Sequence, residues 1–112
     1  MAENLEVDGT ELITTQAVIL AIGNALAKLR YRKAAVELLT SLENDTNIKI
    51  IPLTDELYRR ASKFYKERSD KEWGLTDCVS FVVMQDYKLT EALTADEHFE
   101  QAGFQAVLRK EK

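Results

Sequence analysis

Apolar residues along this chain alternate between strand-like runs and helical spacing, and the changes of period mark its elements. Glu11 to Thr14 reads as a short strand. Thr14 or Thr15 then caps a helix, because a hydroxyl accepts a bond from one of the orphan N–H groups at a helix start. That helix is expected to run to about Leu29. Ala17, Val18, Ile19, Leu20, Ala21, Ile22, Ala25 and Leu26 leave it little polar face, which predicts a largely buried element. A second helix, about Arg32 to Glu43, carries Ala35, Leu38, Leu39 and Leu42 on one stripe. Asn44-Asp-Thr-Asn ends it in a turn.

Ile48 to Leu53 is a β-branched run interrupted by Pro52 and reads as a strand. Thr54 opens a third helix, with Asp55 and Glu56 favourably near its positive end. Leu57, Tyr58, Ala61, Phe64 and Tyr65 recur along it at helical spacing. Arg68 to Gly74 reads as a charged loop. Thr76 is expected to cap the next helix, whose apolar face holds Val79, Val82, Val83 and Met84. Glu91 to Thr94 predicts a strand, Asp96 to Gln101 a short helix, and Phe104 to Leu108 a last strand. This alternation predicts an α/β fold of three layers, α/β/α, around a central parallel sheet. Residues 1–10 are polar and predicted to be poorly ordered, leaving 11–112 as a single domain.

Composition narrows the function classes. The length of 112 residues allows one domain, and a hydrophobic content of 46% supports a real core. The net charge of −4 argues against bulk attraction to nucleic acid but leaves room for a local basic patch. No apolar run approaches the roughly 20 residues that span a bilayer, which argues against a membrane protein. No basic segment followed by an apolar one opens the chain, so a secretion signal is not expected. The single cysteine, Cys78, excludes an intrachain disulfide and fits a reducing, cytoplasmic setting. It lies beside Val79 and reads as a small hydrophobe.

The chemistry concentrates near the C-terminal half. In open α/β sheets the ligand crevice forms at the carboxyl ends of strands and the helix starts beside them. Asp77 falls in the first turn of a helix and Asp96 just past the end of a strand. Two carboxylates delivered there can hold Mg²⁺ or Mn²⁺, which prefer oxygen ligands. The plainer readings are a dipole-stabilising Asp77 and an Asp96 that caps the helix beginning at Glu97. His98, the only histidine, reads as a packed or capping residue.

Two segments carry a family resemblance. One is WGLTDCVSFVVMQDY, residues 73–87, with LTEALTADEHF, residues 89–99; the other is TTQAVILAIGNAL, residues 14–26. Together they resemble the PIN domain, the fold of the VapC-type toxin ribonucleases, over roughly Asp8 to Leu108. The resemblance implies Mg²⁺- or Mn²⁺-dependent cleavage of RNA, with Asp77 and Asp96 as metal ligands and catalytic residues. It also implies a small antitoxin-like protein partner and a dimer or other homo-oligomer.

Two departures from the family pattern stand out. The family carries an Asp at the end of a hydrophobic first strand, and nothing before Glu11 looks like that strand; Asp8, followed by Gly9, reads as a loop residue. The family's second acidic residue, a helical Glu, falls at Ala21. The expectation is therefore a PIN-like domain lacking its first strand. It arises either by genuine shortening or from a start further upstream. Either the bare sheet edges close up, or a second copy or a partner supplies a strand. Two of four carboxylates being absent predicts impaired catalysis. The alternative is a catalytically inactive scaffold that acts through protein–protein contacts.

Supporting positions are Asn24, three residues beyond Ala21 on nearly the same helix face, and Thr76, which can orient Asp77 or cap its helix. Lys28, Arg30, Arg32 and Lys33 surround Tyr31 in a basic cluster. With Lys63, Lys66, Arg68 and Lys71 they could track an RNA backbone, or simply form a solvated surface.

Overall fold

The structure is a computed structural model and describes residues 12–92, 94 and 96–106. The expectations for residues 1–10, for the absent first strand, and for Val107 and Leu108 lie outside these. Contacts divide the chain into two units, Met1–Leu53 and Thr54–Lys112.

In the first unit, strand β1 (Leu12–Thr15) leads directly into helix α1 (Gln16–Ala25), and helix α2 (Leu29–Asn44) leads to strand β2 (Ile48–Ile51). The strands pair in parallel, with Leu12 opposite Ile48 and Thr15 opposite Ile51. Thr15 is the cap: its Oγ1 accepts from Val18 N at 3.2 Å. Asp45 Oδ1 accepts from Asn47 N at 2.8 Å, which tightens the turn before β2. The Gln16 side chain accepts from Leu53 N at 2.7 Å and ties the chain beyond β2 to the start of α1.

Two expectations fail here. The first helix stops at Ala25 and the second starts at Leu29, so the break falls earlier than the pattern indicated. No Gly or Pro marks it. Its stabilising device is instead a side chain from the next helix: Arg32 Nη2 donates to Ala27 O at 2.7 Å. The apolar α1 is also not largely buried. Ala17 is buried, but Leu20 is 61% exposed, because β1 and α2 cover only part of the helix within this unit.

The second unit runs α3 (Asp55–Glu67), α4 (Leu75–Asp86), β3 (Glu91–Ala92), α5 (Glu97–Gln101) and β4 (Gln105–Ala106). Thr54 caps α3, its Oγ1 accepting from Leu57 N at 3.1 Å. Leu57 and Ala61, one turn apart, are buried where α3 packs on α4. The pair β3–β4 is parallel, with Glu91 opposite Gln105 and Ala92 opposite Ala106. The described strands thus run parallel, as the alternation predicted.

The core of this unit is aromatic. Phe81, fully buried, meets Phe99 edge-on at 4.8 Å, Trp73 edge-on at 5.1 Å and Phe104 in a stack at 5.7 Å. Trp73 sits in the segment read as a charged loop, yet it is buried against Phe64 and Phe81. Its indole Nε1 donates to Gln101 Oε1 at 3.0 Å, which satisfies the polar edge of a buried ring. Helix α5 ends in a Schellman motif: Phe104 N donates to Phe99 O and Gly103 N to Glu100 O, with Gly103 at φ 97°. That motif turns the chain so that Phe104 reaches the same core as Phe99.

Candidate metal centre

Helix α4 has no side-chain hydroxyl cap. Its N-cap is Gly74, not Thr76, and the backbone N–H of Gly74 donates to Asp77 Oδ2 at 3.1 Å. Thr76 lies inside the first turn because Asp77, at the third helical position, already satisfies the entry. Asp77 therefore occupies the reciprocal half of a capping box. Asp96 caps α5, its Oδ1 accepting from His98 N at 2.9 Å, as its plainer sequence reading had it. Thr94 Oγ1 in turn accepts from Asp96 N at 3.1 Å.

These two helix starts bring Asp77 and Asp96 together with His98. His98 Nδ1 lies 3.2 Å from Asp77 Oδ2 and 3.4 Å from Asp96 Oδ1. One donor atom from each of the three residues falls within 4.8 Å of the others. The side chains of Asp77 and His98 are 24% and 26% exposed and that of Asp96 43%, so the cluster is part-sheltered yet open to solvent. The described hydrogen bonds use Asp77 Oδ2 and Asp96 Oδ1, which leaves the second oxygen of each carboxylate for a ligand.

His98 is the residue whose place sequence reasoning missed. Its only signal was its position two residues after Asp96 on a very short helix, where the cap and the imidazole share one turn. Cys78, next to Asp77, is fully buried. Burial, and secondarily the charge of Asp77, pushes its thiol above the usual range, so it behaves as the predicted small hydrophobe.

A groove of about 540 Å³ begins at Gly74, the N-cap of the Asp77 helix, and is lined among others by Tyr65, Lys66, Arg68, Lys71 and Trp73. Arg68 is held in place there, paired with Asp70 through two bonds of 3.0 and 3.1 Å and lying 5.0 Å over the Trp73 ring. Lys63, by contrast, pairs with Glu67 along α3.

In the first unit, Lys28, Arg30, Arg32 and Lys33 are exposed around the start of α2. Arg30 stacks over the Tyr31 ring at 4.9 Å, and Arg32 is committed to Ala27 O. Asn24 and Ala21 are exposed on α1. No described helix is long and apolar enough to cross a membrane.

The sequence profile of the PIN domain matches residues 1–105. Among solved structures, the chain is similar to VapC20 of Mycobacterium tuberculosis, a sarcin–ricin-loop-cleaving toxin. The TM-score is 0.80 at 23% sequence identity, over 94% of this chain and 81% of that one, a likeness of fold. No curated protein matches the chain.

Proposed function

This chain belongs to the PIN-domain family, and from that premise we propose that it is a metal-dependent endoribonuclease of the VapC toxin type. Asp77 and Asp96 are its metal ligands in this reading. The observation that carries it is the convergence of these carboxylates, within 4.8 Å, from two helix starts distant in sequence. The donor set fits Mg²⁺ or Mn²⁺: each carboxylate offers an oxygen not used by the described hydrogen bonds. A divalent cation there supplies positive charge against phosphate oxygens and a water that ionises more readily.

The chain's own residues do the positioning. Gly74 N–H and His98 Nδ1 fix Asp77 Oδ2, while the backbone of α5 fixes Asp96 Oδ1. Lys66 and Lys71 line the groove that begins at Gly74 and can neutralise RNA phosphates, beside the Arg68–Asp70 pair. Tyr65, also on that groove and 46% exposed, offers a ring for base stacking. Lys28, Arg30 and Lys33 are a second candidate phosphate contact. With Ala21 where the family has a Glu, we place the activity below that of a site with four carboxylates.

A second reading has its own support. Leu20, Leu29 and Val36 in the first unit are 61%, 91% and 54% exposed, an apolar surface suited to a protein partner. In this reading the chain is an inactive scaffold that pairs with itself or with an antitoxin-like helix. One experiment separates the two. Total RNA and a sarcin–ricin hairpin are incubated with the protein and Mn²⁺ or Mg²⁺, and new 5′ ends are mapped, with Asp77→Asn alongside. Cleavage lost in the variant is expected. No cleavage by the natural chain, or equal cleavage by both, overturns the nuclease and leaves the scaffold. Light scattering across a dilution series is expected to give a dimer mass; a monomer throughout would remove self-pairing.

A further inference from the structure

We propose that His98 is itself a ligand of this centre, through Nδ1, and that it tunes the site toward first-row transition cations over Mg²⁺. The inference rests on Asp77 and Asp96 forming a metal site and names a third member.

The geometry is specific to one atom. Nδ1, not the ring as a whole, faces both carboxylates, at 3.2 and 3.4 Å. With metal–ligand bonds of about 2.0–2.2 Å, neighbouring donors in a four- or six-coordinate shell lie roughly 3.0–3.5 Å apart. Nδ1 already stands near that spacing from each carboxylate, and one donor atom from each of the three residues lies within 4.8 Å of the others. An ionised carboxylate only accepts, so in the tautomer that bonds Asp77 Oδ2 the proton sits on Nδ1. When a cation binds, the Nδ1 lone pair takes its place and the proton passes through solvent to Nε2. The ring thus changes tautomer, and the Nδ1 proton and the cation occupy the space between the imidazole and the carboxylates in turn.

The ring is held by the fold and not by the cluster alone. Its neighbour Phe99 packs on Phe81, and Asp96 accepts from the His98 backbone N–H. An imidazole nitrogen raises affinity for Mn²⁺, Co²⁺ and Zn²⁺ far more than for Mg²⁺, which favours oxygen and keeps its waters. One nitrogen and two carboxylate oxygens therefore give a selectivity that two carboxylates alone would not.

His98 is the only histidine, so imidazole spectra report on it without assignment. The ¹⁵N-labelled chain is titrated with Zn²⁺ and the two ring nitrogens are followed by long-range ¹H–¹⁵N correlation. Calorimetry with Co²⁺ and Mg²⁺ runs in parallel on the natural chain, His98→Gln and Asp77→Asn. The expected result is loss of the proton at Nδ1 with Nε2 protonated at saturation. With it, His98→Gln should weaken Co²⁺ by roughly tenfold or more and Mg²⁺ by about twofold or less. Zn²⁺ saturation with Nδ1 still protonated, or Co²⁺ affinity unchanged in His98→Gln while Asp77→Asn abolishes it, overturns the ligand role and leaves the carboxylate site standing. Absence of binding by every cation to the natural chain overturns the metal site and His98 with it.

Discussion

Phe81 and Phe99 meet edge to face at 4.8 Å, and this contact couples the helix that carries Asp77 to the helix that carries His98. Asp77 lies one turn before Phe81 on the same side of α4, and His98 immediately precedes Phe99. The aromatic core is thus also the frame of the candidate metal centre. The two helix starts that carry the candidate ligands are held together by the Phe81–Phe99 ring contact.

Trimming that frame should loosen the site before it unfolds the protein. Phe99→Leu keeps an apolar side chain but removes the edge contact, and is expected to cost about 1–2 kcal/mol in urea unfolding. Cation affinity, read by calorimetry on the folded variant, should fall as well. Loss of stability with unchanged affinity would mean that the ring contact does not position the donors.

Asp77 caps its helix and, in the proposed site, is also a ligand, and the two jobs are separable. Asn keeps an oxygen that can accept from Gly74 N, so Asp77→Asn should change stability by no more than about 0.5 kcal/mol, while Asp77→Ala costs about 1 kcal/mol. Both should abolish cation binding. Equal stability of the two variants would show that the Gly74 bond contributes little.

How much of this was legible in the chain depended on whether the signal was local. Thr15, Thr54 and Asp96 were readable as caps because a cap needs only a short polar side chain beside an apolar period. Asp77 and Asp96 were readable as candidates through their places at a helix start and just past a strand end, and through the family resemblance. The break after Ala25 was not, because it lacks Gly or Pro and is stabilised by Arg32 reaching back to Ala27 O. Trp73 does lie in the loop between α3 and α4, but its burial was not legible because its partners, Phe64, Phe81 and Gln101, are non-local. His98 was undervalued for the same reason: Asp77 is twenty-one residues away in sequence and meets it only through tertiary packing.

Two helix ends adopt left-handed backbone, one with the residue suited to it and one without. Gly103 sits at φ 97° after α5, and Lys88 at φ 57° after α4, where Leu89 N donates to Met84 O at 2.8 Å. A side chain at such a position costs about 1 kcal/mol. Gly103→Ala should destabilise by roughly that amount, with no steric term because nothing lies within 4 Å of an added Cβ. Lys88→Gly should stabilise by about 0.5–1 kcal/mol. Thermal unfolding of both variants tests the pair, and shifts of the same sign would contradict it.

Acid should weaken the packing of α3 on α4. Arg60 reaches across to Asp86 with two bonds of 2.7 Å. The guanidinium hydrogen bond holds the Asp86 carboxyl below the usual carboxylate range, with a smaller charge contribution from the same partner. A carboxyl depressed in the folded state contributes stability that is fully present above its unfolded pKa of about 4. That contribution disappears as pH falls through the lower folded value. Both side chains are more than 40% exposed, so the pair is worth no more than about 1 kcal/mol and weakens further in salt. Urea unfolding of the natural chain and Asp86→Asn should differ by up to that amount at pH 7. The gap should narrow at pH 3, where the natural carboxyl also begins to take up its proton. A gap that is as wide at pH 3 as at pH 7 would mean that Asp86 stabilises the helix pair by something other than its charge.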